Sequence, residues 1–338
     1  MIRYAFWNNK GGTGKTSLAF QSICRFAQRN PQHRILVIDV CPQANLSELL
    51  LGGMTNGGSA ILLQQQGQPP RRSIGGYFQL RLPAPYQAPV FDPADYITRP
   101  ARFNRNVPAN IDLVCGDPLL ELQANAINTL ANTQIPGTDT WIGVIDWIRD
   151  FLGRTNGYDY VFFDSNPSFS IYTQIALSTS DRLILPVMAD DSSRRAIQNA
   201  FSLIYGLALP SPIYSIHAFA TRLQNAQRPL PKAHVIAKNR LTQYMGPASA
   251  FHAVLNAIDT DVSALIAQRP DLFTFGNVVD GTVNIRDFQT AGVVAFAKGC
   301  PFSQLPASRV DIGGHRVRVN EDQLRLAMAA VDDLVALL

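Results

Sequence analysis

Short apolar runs that end in a polar or acidic residue alternate along this chain with stretches whose apolar positions recur every three or four residues. IRYAFW (residues 2–7) gives way to NNKGGTGKTS, after which Leu18, Ala19, Ile23, Phe26 and Ala27 repeat at helical spacing. That order predicts a strand, a Gly-rich loop and a helix. RILVID (Arg34 to Asp39) and YDYVFFD (Tyr158 to Asp164) are continuous apolar runs closed by a carboxylate, as expected of central parallel strands covered on both faces. Further strands are predicted at Ile111 to Val114, Arg182 to Val187 and His234 to Ile236, and helices at Leu119 to Leu130, Trp141 to Leu152 and Arg195 to Leu207. The alternation predicts an α/β fold, an open, mostly parallel, doubly wound sheet with helices on both faces. Ligands of such sheets sit at the carboxyl ends of the strands, where Asn8 to Lys15, Asp39 and Asp164 would converge.

Residues 52–110 break the pattern. GGMTNGG, QQQGQPPRR, IGGY and LPAPYQAP are rich in Gly, Pro and Gln, and read as a loop-rich insertion carrying many arginines within a single domain spanning 1–338. The tail, about 320–338, places Leu324, Ala327, Val331, Leu334 and Leu338 at helical spacing with few basic residues. It is expected to dock on the core rather than on a membrane.

The composition, 338 residues with 46% hydrophobic and 16% charged, excludes a disordered chain. The start turns polar after seven residues and no run of about 18 apolar residues occurs, so neither a signal peptide nor a membrane span is expected, and the protein is expected to be cytoplasmic. Cys24, Cys41, Cys115 and Cys300 show no metal-ligand spacing and are read as buried thiols. The net charge of +4 does not announce nucleic-acid binding. Its distribution says more: from Arg194 to Ile258 there is no Asp or Glu, and Arg222, Arg228, Lys232 and Arg240 become candidate DNA-phosphate contacts.

The strongest chemical signal is KGGTGKTS. Gly11, Gly12 and Gly14 let backbone N–H groups approach a phosphate chain, at the positive end of the following helix. Lys15 then reaches the β and γ phosphates and Thr16 offers its hydroxyl to Mg²⁺. Asn9 stands where the common P-loop pattern has its first glycine, and a second lysine, Lys10, heads the loop.

KGGTGKTS resembles the deviant Walker A motif of the ParA/MinD ATPases. VIDVCPQANLS (Val37 to Ser47) resembles that family's DxDPQGN segment, VFFDSNPSFSIYTQIAL its Walker B strand, and RLILPVMADDSSRRAI its strand ending in Pro-Val with the helix behind. The resemblance, closest to the ParA-type partitioning ATPases, covers about two thirds of the chain. It implies a nucleotide site at Lys10, Gly11, Gly12, Thr13, Gly14, Lys15, Thr16 and Ser17, with ATP as substrate and Mg²⁺ held by Thr16 and Asp164. Lys10 would contact the nucleotide of the partner subunit, Lys15 the phosphates of its own, and Asp39 would position the attacking water. These three are the catalytic candidates. Asn239, in AKNR, matches a base-reading position.

The same resemblance implies an ATP-dependent homodimer, non-specific DNA binding, a ParB-like or other stimulating partner, no membrane, and a bacterial, nucleoid-associated location. DNA partitioning or segregation, of a plasmid or chromosome, is the implied role. Cys41 replaces the second Asp of DxDPQ, Ala44 the following Gly, and Ser165-Asn166 a Cys-Pro pair. The alternative is a positioning or regulatory scaffold ATPase of the same superfamily with little or no hydrolysis.

Overall fold

A computed structural model describes residues 1–242 and 250–338. Residues 243–249, part of the acid-free segment, lie outside the described residues. The strands are β1 (Ile2–Phe6), β2 (Ile35–Val40), β3 (Ile97–Thr98), β4 (Ile111–Val114), β5 (Tyr160–Ser165), β6 (Arg182–Val187), β7 (Lys232–Leu241) and β8 (Thr282–Arg286), followed by a hairpin of β9 (Arg309–Ile312) and β10 (His315–Arg318). The helices are α1 (Lys15–Arg29), α2 (Asn45–Leu51), α3 (Gly58–Gln66), α4 (Ile74–Arg81), α5 (Leu119–Asn132), α6 (Thr140–Ile145) and α7 (Trp147–Arg154). They continue as α8 (Ile171–Thr179), α9 (Asp191–Tyr205), α10 (Phe219–Asn225), α11 (Ala250–Gln268), α12 (Gln289–Lys298) and α13 (Glu321–Val335).

The main sheet has the order β3-β4-β2-β5-β1-β6-β7-β8, parallel except for the edge strand β3. Side chains alternate across each strand. In β1, Tyr4 and Phe6 join α1, α2, α12 and α13 on one face, while Ala5 joins α4 to α11 on the other. The fold is therefore the open doubly wound α/β sheet of P-loop proteins that the alternation predicted. Pairing of β2 with β5 sets Asp39 level with Asp164 at the carboxyl end.

Three sequence expectations change. The segment 52–110 is less loop-like than its Gly and Pro content suggested, since it holds α3, α4 and β3. Ser73 caps α4 by accepting from Gly76 N at 3.0 Å, and Ile74, Tyr77 and Phe78, at i, i+3 and i+4, are fully buried. The predicted helix Trp141 to Leu152 breaks into α6 and α7 at Asp146, whose backbone leaves helical geometry at ψ 2°. The β8 strand, in GTVNIRD, and the β9–β10 hairpin were not anticipated.

The insertion is also tied to α12. Thr55 N and Asn56 Nδ2 donate to the carbonyls of Ala297 and Lys298 at 2.8 Å each, and Asn104 Nδ2 donates to Gly299 O at 2.7 Å. These are carbonyls that a helix end leaves without partners. The approach needs bare backbone: a Cβ on Gly53 would stand 2.4 Å from Gly299 N, and one on Gly299 2.4 Å from Leu49 O.

The α13 helix docks as expected, burying Leu324, Ala327, Val331 and Leu334. Its end is held by His234, whose Nε2 bonds Leu337 O at 2.8 Å while Nδ1 bonds Thr274 Oγ1 at 2.6 Å. Burial pulls the His234 pKa down to about 4, with Arg182 adding to the effect and the Leu337 bond opposing it. The unfolded chain, with a value near the usual ~6.5, binds the proton more readily between those limits. Stability should therefore be whole above pH ~6.5 and fall as the pH drops toward 4. With the ring partly open to solvent, the loss is on the order of 1–2 kcal/mol. A Tm series against pH should show this limb flattened in His234→Gln; an identical limb in both proteins would contradict the assignment.

Candidate functional site

The loop between β1 and α1 turns on Gly12 and Gly14, at φ +74° and +75°, a region open to glycine at no steric cost. Asn8 anchors its start, donating to Pro186 O at 2.6 Å and accepting from Lys10 N at 3.1 Å. Lys10, Gly11, Gly12, Thr13, Gly14, Lys15, Thr16 and Ser17 line a cavity of about 370 Å³, closed by Cys41, Gln43, Asn45, Pro167 and Arg240. A second cavity of about 720 Å³ shares Gly14, Ser17 and Arg240 and is more apolar, walled by Phe288, Val293, Phe296 and Ile312. The first has the size and lining for a phosphate chain, the second for a nucleoside.

At the floor, Asp164 is fully buried and accepts from Lys15 Nζ at 3.1 Å and Thr16 Oγ1 at 2.8 Å. Beside it Asp39, equally buried, accepts from Cys41 N at 3.1 Å, Ser47 N at 2.9 Å and Ser47 Oγ at 2.7 Å. Burial, then the neighbouring Asp164 carboxylate, pushes the Asp39 carboxyl well above its ordinary range, against the Ser47 and Cys41 hydrogen bonds. Ser47 Oγ also accepts from Gly116 N at 2.8 Å, so it locks the carboxylate to the β4 end. The Cys41 thiol is pushed up to about 12 by burial and then by the two carboxylates, and stays neutral.

Lys10 turns the other way. Its Nζ donates to Asp190 at 2.6 and 2.7 Å and to Ser193 Oγ at 3.2 Å. Asp190 also caps α9 through Ser193 N at 2.7 Å. Burial raises the Asp190 pKa, but the hydrogen bonds from Lys10, Ser192 and Ser193 outweigh it and hold the carboxyl at about 2.

Mg²⁺ fits this arrangement. The Thr16 hydroxyl lines the phosphate cavity and donates to the buried Asp164 carboxylate behind it, and the buried Oγ1 of Thr13, Oδ1 of Asn9 and Oγ of Ser165 around the loop find no protein partner among the described residues. Such orphaned atoms call for a polar ligand.

Asn239 meets both the phosphate loop and the second cavity. It is buried, its Nδ2 donates to Thr13 O at 2.7 Å, and its Oδ1 accepts from Arg240 N at 2.9 Å. It braces the phosphate loop and at the same time lines the second, more apolar cavity, the place a base reader would occupy. If its role is only to brace the loop, Asn239→Ala should weaken ATP and GTP by a similar factor, about fivefold, since one hydrogen bond is worth about 1 kcal/mol. A changed ATP-to-GTP ratio in a titration of both nucleotides would add the base-reading role.

The four candidate DNA contacts do not form one surface. Arg228 pairs with Asp146 at 2.5 Å, and the Arg222 guanidinium lies 4.4 Å from the Trp141 ring centroid and bonds Asn132 Oδ1 at 3.1 Å. Lys232 and Arg240 are exposed near opposite ends of β7, about 26 Å apart at strand rise. Arg240, at φ +58°, belongs to the nucleotide cavities. Arg194 meets Asp261 at 3.4 Å. Ser47 and Asp190 are site residues that the motifs do not single out, and Arg240, expected at DNA, lines the nucleotide cavities instead; Ser47 and Asp190 stand inside the quoted segments, but which atoms they meet depends on tertiary contacts.

A Gly-rich loop wrapped on a helix start, with one lysine turned inward and two carboxylates at adjacent strand ends, defines a P-loop nucleotide-binding protein. The chain belongs to the CobQ/CobB/MinD/ParA nucleotide binding domain family, whose pattern matches residues 4–272. It is 28% identical over 185 residues to a probable plasmid-partitioning protein ParA of Thermus thermophilus, a match that covers 54% of this chain and 44% of that protein, so it spans less than half of the relative's length. Its fold resembles an McdA–ATP complex from Cyanothece (TM-score 0.61, 14% identity, 99% and 96% of the two chains). It also resembles a putative plasmid partition protein from Borrelia burgdorferi bound to AMPPNP (TM-score 0.55, 14% identity, 99% and 98%). No helix among the described residues is long and apolar enough to cross a membrane.

Proposed function

We propose that this chain is a ParA-like ATPase acting as a nucleotide switch. ATP joins two copies into a homodimer, the dimer holds DNA without sequence preference, and slow hydrolysis, stimulated by a ParB-like or other partner, releases it in the service of DNA segregation or partitioning. The observation that carries this reading is the division of labour in the loop: Lys15 points into its own site while Lys10 is held at the rim. Phosphoryl transfer needs positioning and charge neutralisation more than covalent chemistry. Lys15 supplies charge to the phosphates, Asp39 orients a water, and Ser47 and Cys41 N fix the Asp39 carboxylate. Mg²⁺, when bound by Thr16 and Asp164, supplies further charge neutralisation.

The neutral Cys41 thiol beside Asp39 favours a second reading, a scaffold with little or no hydrolysis. Steady-state turnover with and without duplex DNA and partner separates the two. The switch predicts a rate well under the roughly 10 s⁻¹ typical of enzymes that rises on adding DNA and partner, whereas the scaffold predicts little or no turnover that neither addition raises. Arg222 and Arg228 are half-buried and engaged by Asn132 and Asp146, so DNA binding by the dimer would compete with those contacts or draw on further surface cations, and its affinity would fall steeply with salt.

A further inference from the structure

Far from the phosphate loop, near the amino ends of β2 and β5, a third cavity of about 430 Å³ opens beside the edge strand β3. Five arginines line it, Arg34, Arg72, Arg99, Arg102 and Arg154, against two carboxylates, Asp92 and Asp112. They come from three separate stretches of chain, so no run in the sequence announced the cluster.

The floor is built. Asp112 is buried and accepts from Arg34 and Arg99 at 3.2 Å each and from Tyr158 Oη at 2.8 Å. The Arg34 guanidinium lies 4.6 Å from the Tyr158 ring centroid. One carboxylate thus fixes two guanidiniums and a phenol without matching their charge. The buried Gln65 accepts from Thr98 Oγ1 at 3.0 Å, and its amide nitrogen has no bond among the described residues. At the walls, Arg72 Nε reaches only a backbone oxygen, that of Asp95, at 3.2 Å, and Arg154 lies 5.1 Å from the Phe91 ring centroid. Arg72, Arg102 and Arg154 have no carboxylate partner among the described residues.

Guanidiniums brought together in a concavity with too few carboxylates repel one another, and an anion with several oxygens relieves that cost by bidentate bonding. The volume falls within the roughly 300–1,000 Å³ of small-ligand sites. We propose that this cleft is a second anion site that takes a small molecule bearing two or more phosphate groups, of nucleotide size, separate from the ATP site. It is independent of the proposed function.

The test is calorimetric titration of inorganic tripolyphosphate into the full chain whose phosphate loop is already saturated with Mg²⁺ and a non-hydrolysable ATP analogue. The expected result is saturable binding of one tripolyphosphate per chain, weakened at least tenfold in an Arg72→Ala, Arg102→Ala double variant and by added salt. The same variant should bind the ATP analogue with unchanged affinity and keep its Tm, which separates loss of the cleft from loss of the fold. Absence of a second binding event, or equal binding in the variant, overturns the proposal. So does a variant that loses affinity for a short duplex but not for tripolyphosphate, which would make the cleft a DNA contact.

Discussion

Lys15→Ala is expected to abolish nucleotide binding, while Asp39→Ala keeps it and loses turnover by roughly a hundredfold or more. The two side chains act on different parts of the reaction. Under the proposed function Lys15 neutralises phosphate charge in the ground state, so its loss would be felt in affinity, whereas Asp39 acts on the water and its loss would be felt in rate. The geometry sharpens the contrast, because Asp39 is engaged by Ser47 and Cys41 while Lys15 reaches Asp164. Removing Lys15 also strands Asp164 as a buried charge without its 3.1 Å partner. Equilibrium binding of a fluorescent ATP analogue beside single-turnover hydrolysis reads both effects, and equal loss of affinity in the two variants would contradict the roles given to them. Under the same proposal, ATP traps the Asp39→Ala protein as a DNA-bound dimer. The raised Asp39 pKa adds a sign: the water-orienting form is the carboxylate, so the hydrolysis rate should rise with pH up to the neutral range.

Lys10→Ala should bind ATP yet remain monomeric, and Asp190→Asn should dimerise at lower ATP concentration than the wild type. In the free chain Lys10 is engaged by Asp190 at 2.6 Å, at a partly exposed position where such a pair is worth about 0.2–1 kcal/mol. That is small enough for a partner's phosphates to offset and large enough to move a dimerisation midpoint a few-fold. Because Asp190 stays ionised down to about pH 2, the pair persists across the neutral range and cannot itself act as a pH switch. Light scattering with a slowly hydrolysed analogue, beside nucleotide titration, reads the two variants. A direct loss of ATP affinity in Lys10→Ala would move the lysine to its own subunit's site.

The sheet was legible because its central strands are covered on both faces and therefore apolar up to the carboxylate at their carboxyl end, as in ILVIDV and YVFFDS. The phosphate loop was legible because few residue types permit its backbone. What stayed hidden depends on contacts between distant segments. AKNR marks Asn239 as a base reader, but its second contact, with the Thr13 carbonyl of the phosphate loop, exists only because β7 brings the two together. The acid-free stretch looked like one basic surface, but Arg228 finds its counter-charge in Asp146, far back in the chain. Gly and Pro in 52–110 read as breakers, yet the apolar stripe of α4 needs only eight residues, too few to stand out among them.

The way the insertion closes the end of α12 bears on how this chain can be recombined with its relatives. The same helix lines the nucleoside cavity with Gly292, Val293 and Phe296, so its two ends answer to different regions of the sequence. A chimera that takes 52–110 alone from another family member would meet a foreign helix end at a seam where backbone touches backbone, with Gly53 and Gly299 too close for either to carry a side chain. The exchangeable unit is therefore two pieces distant in sequence, 52–110 with 289–300, grafted together.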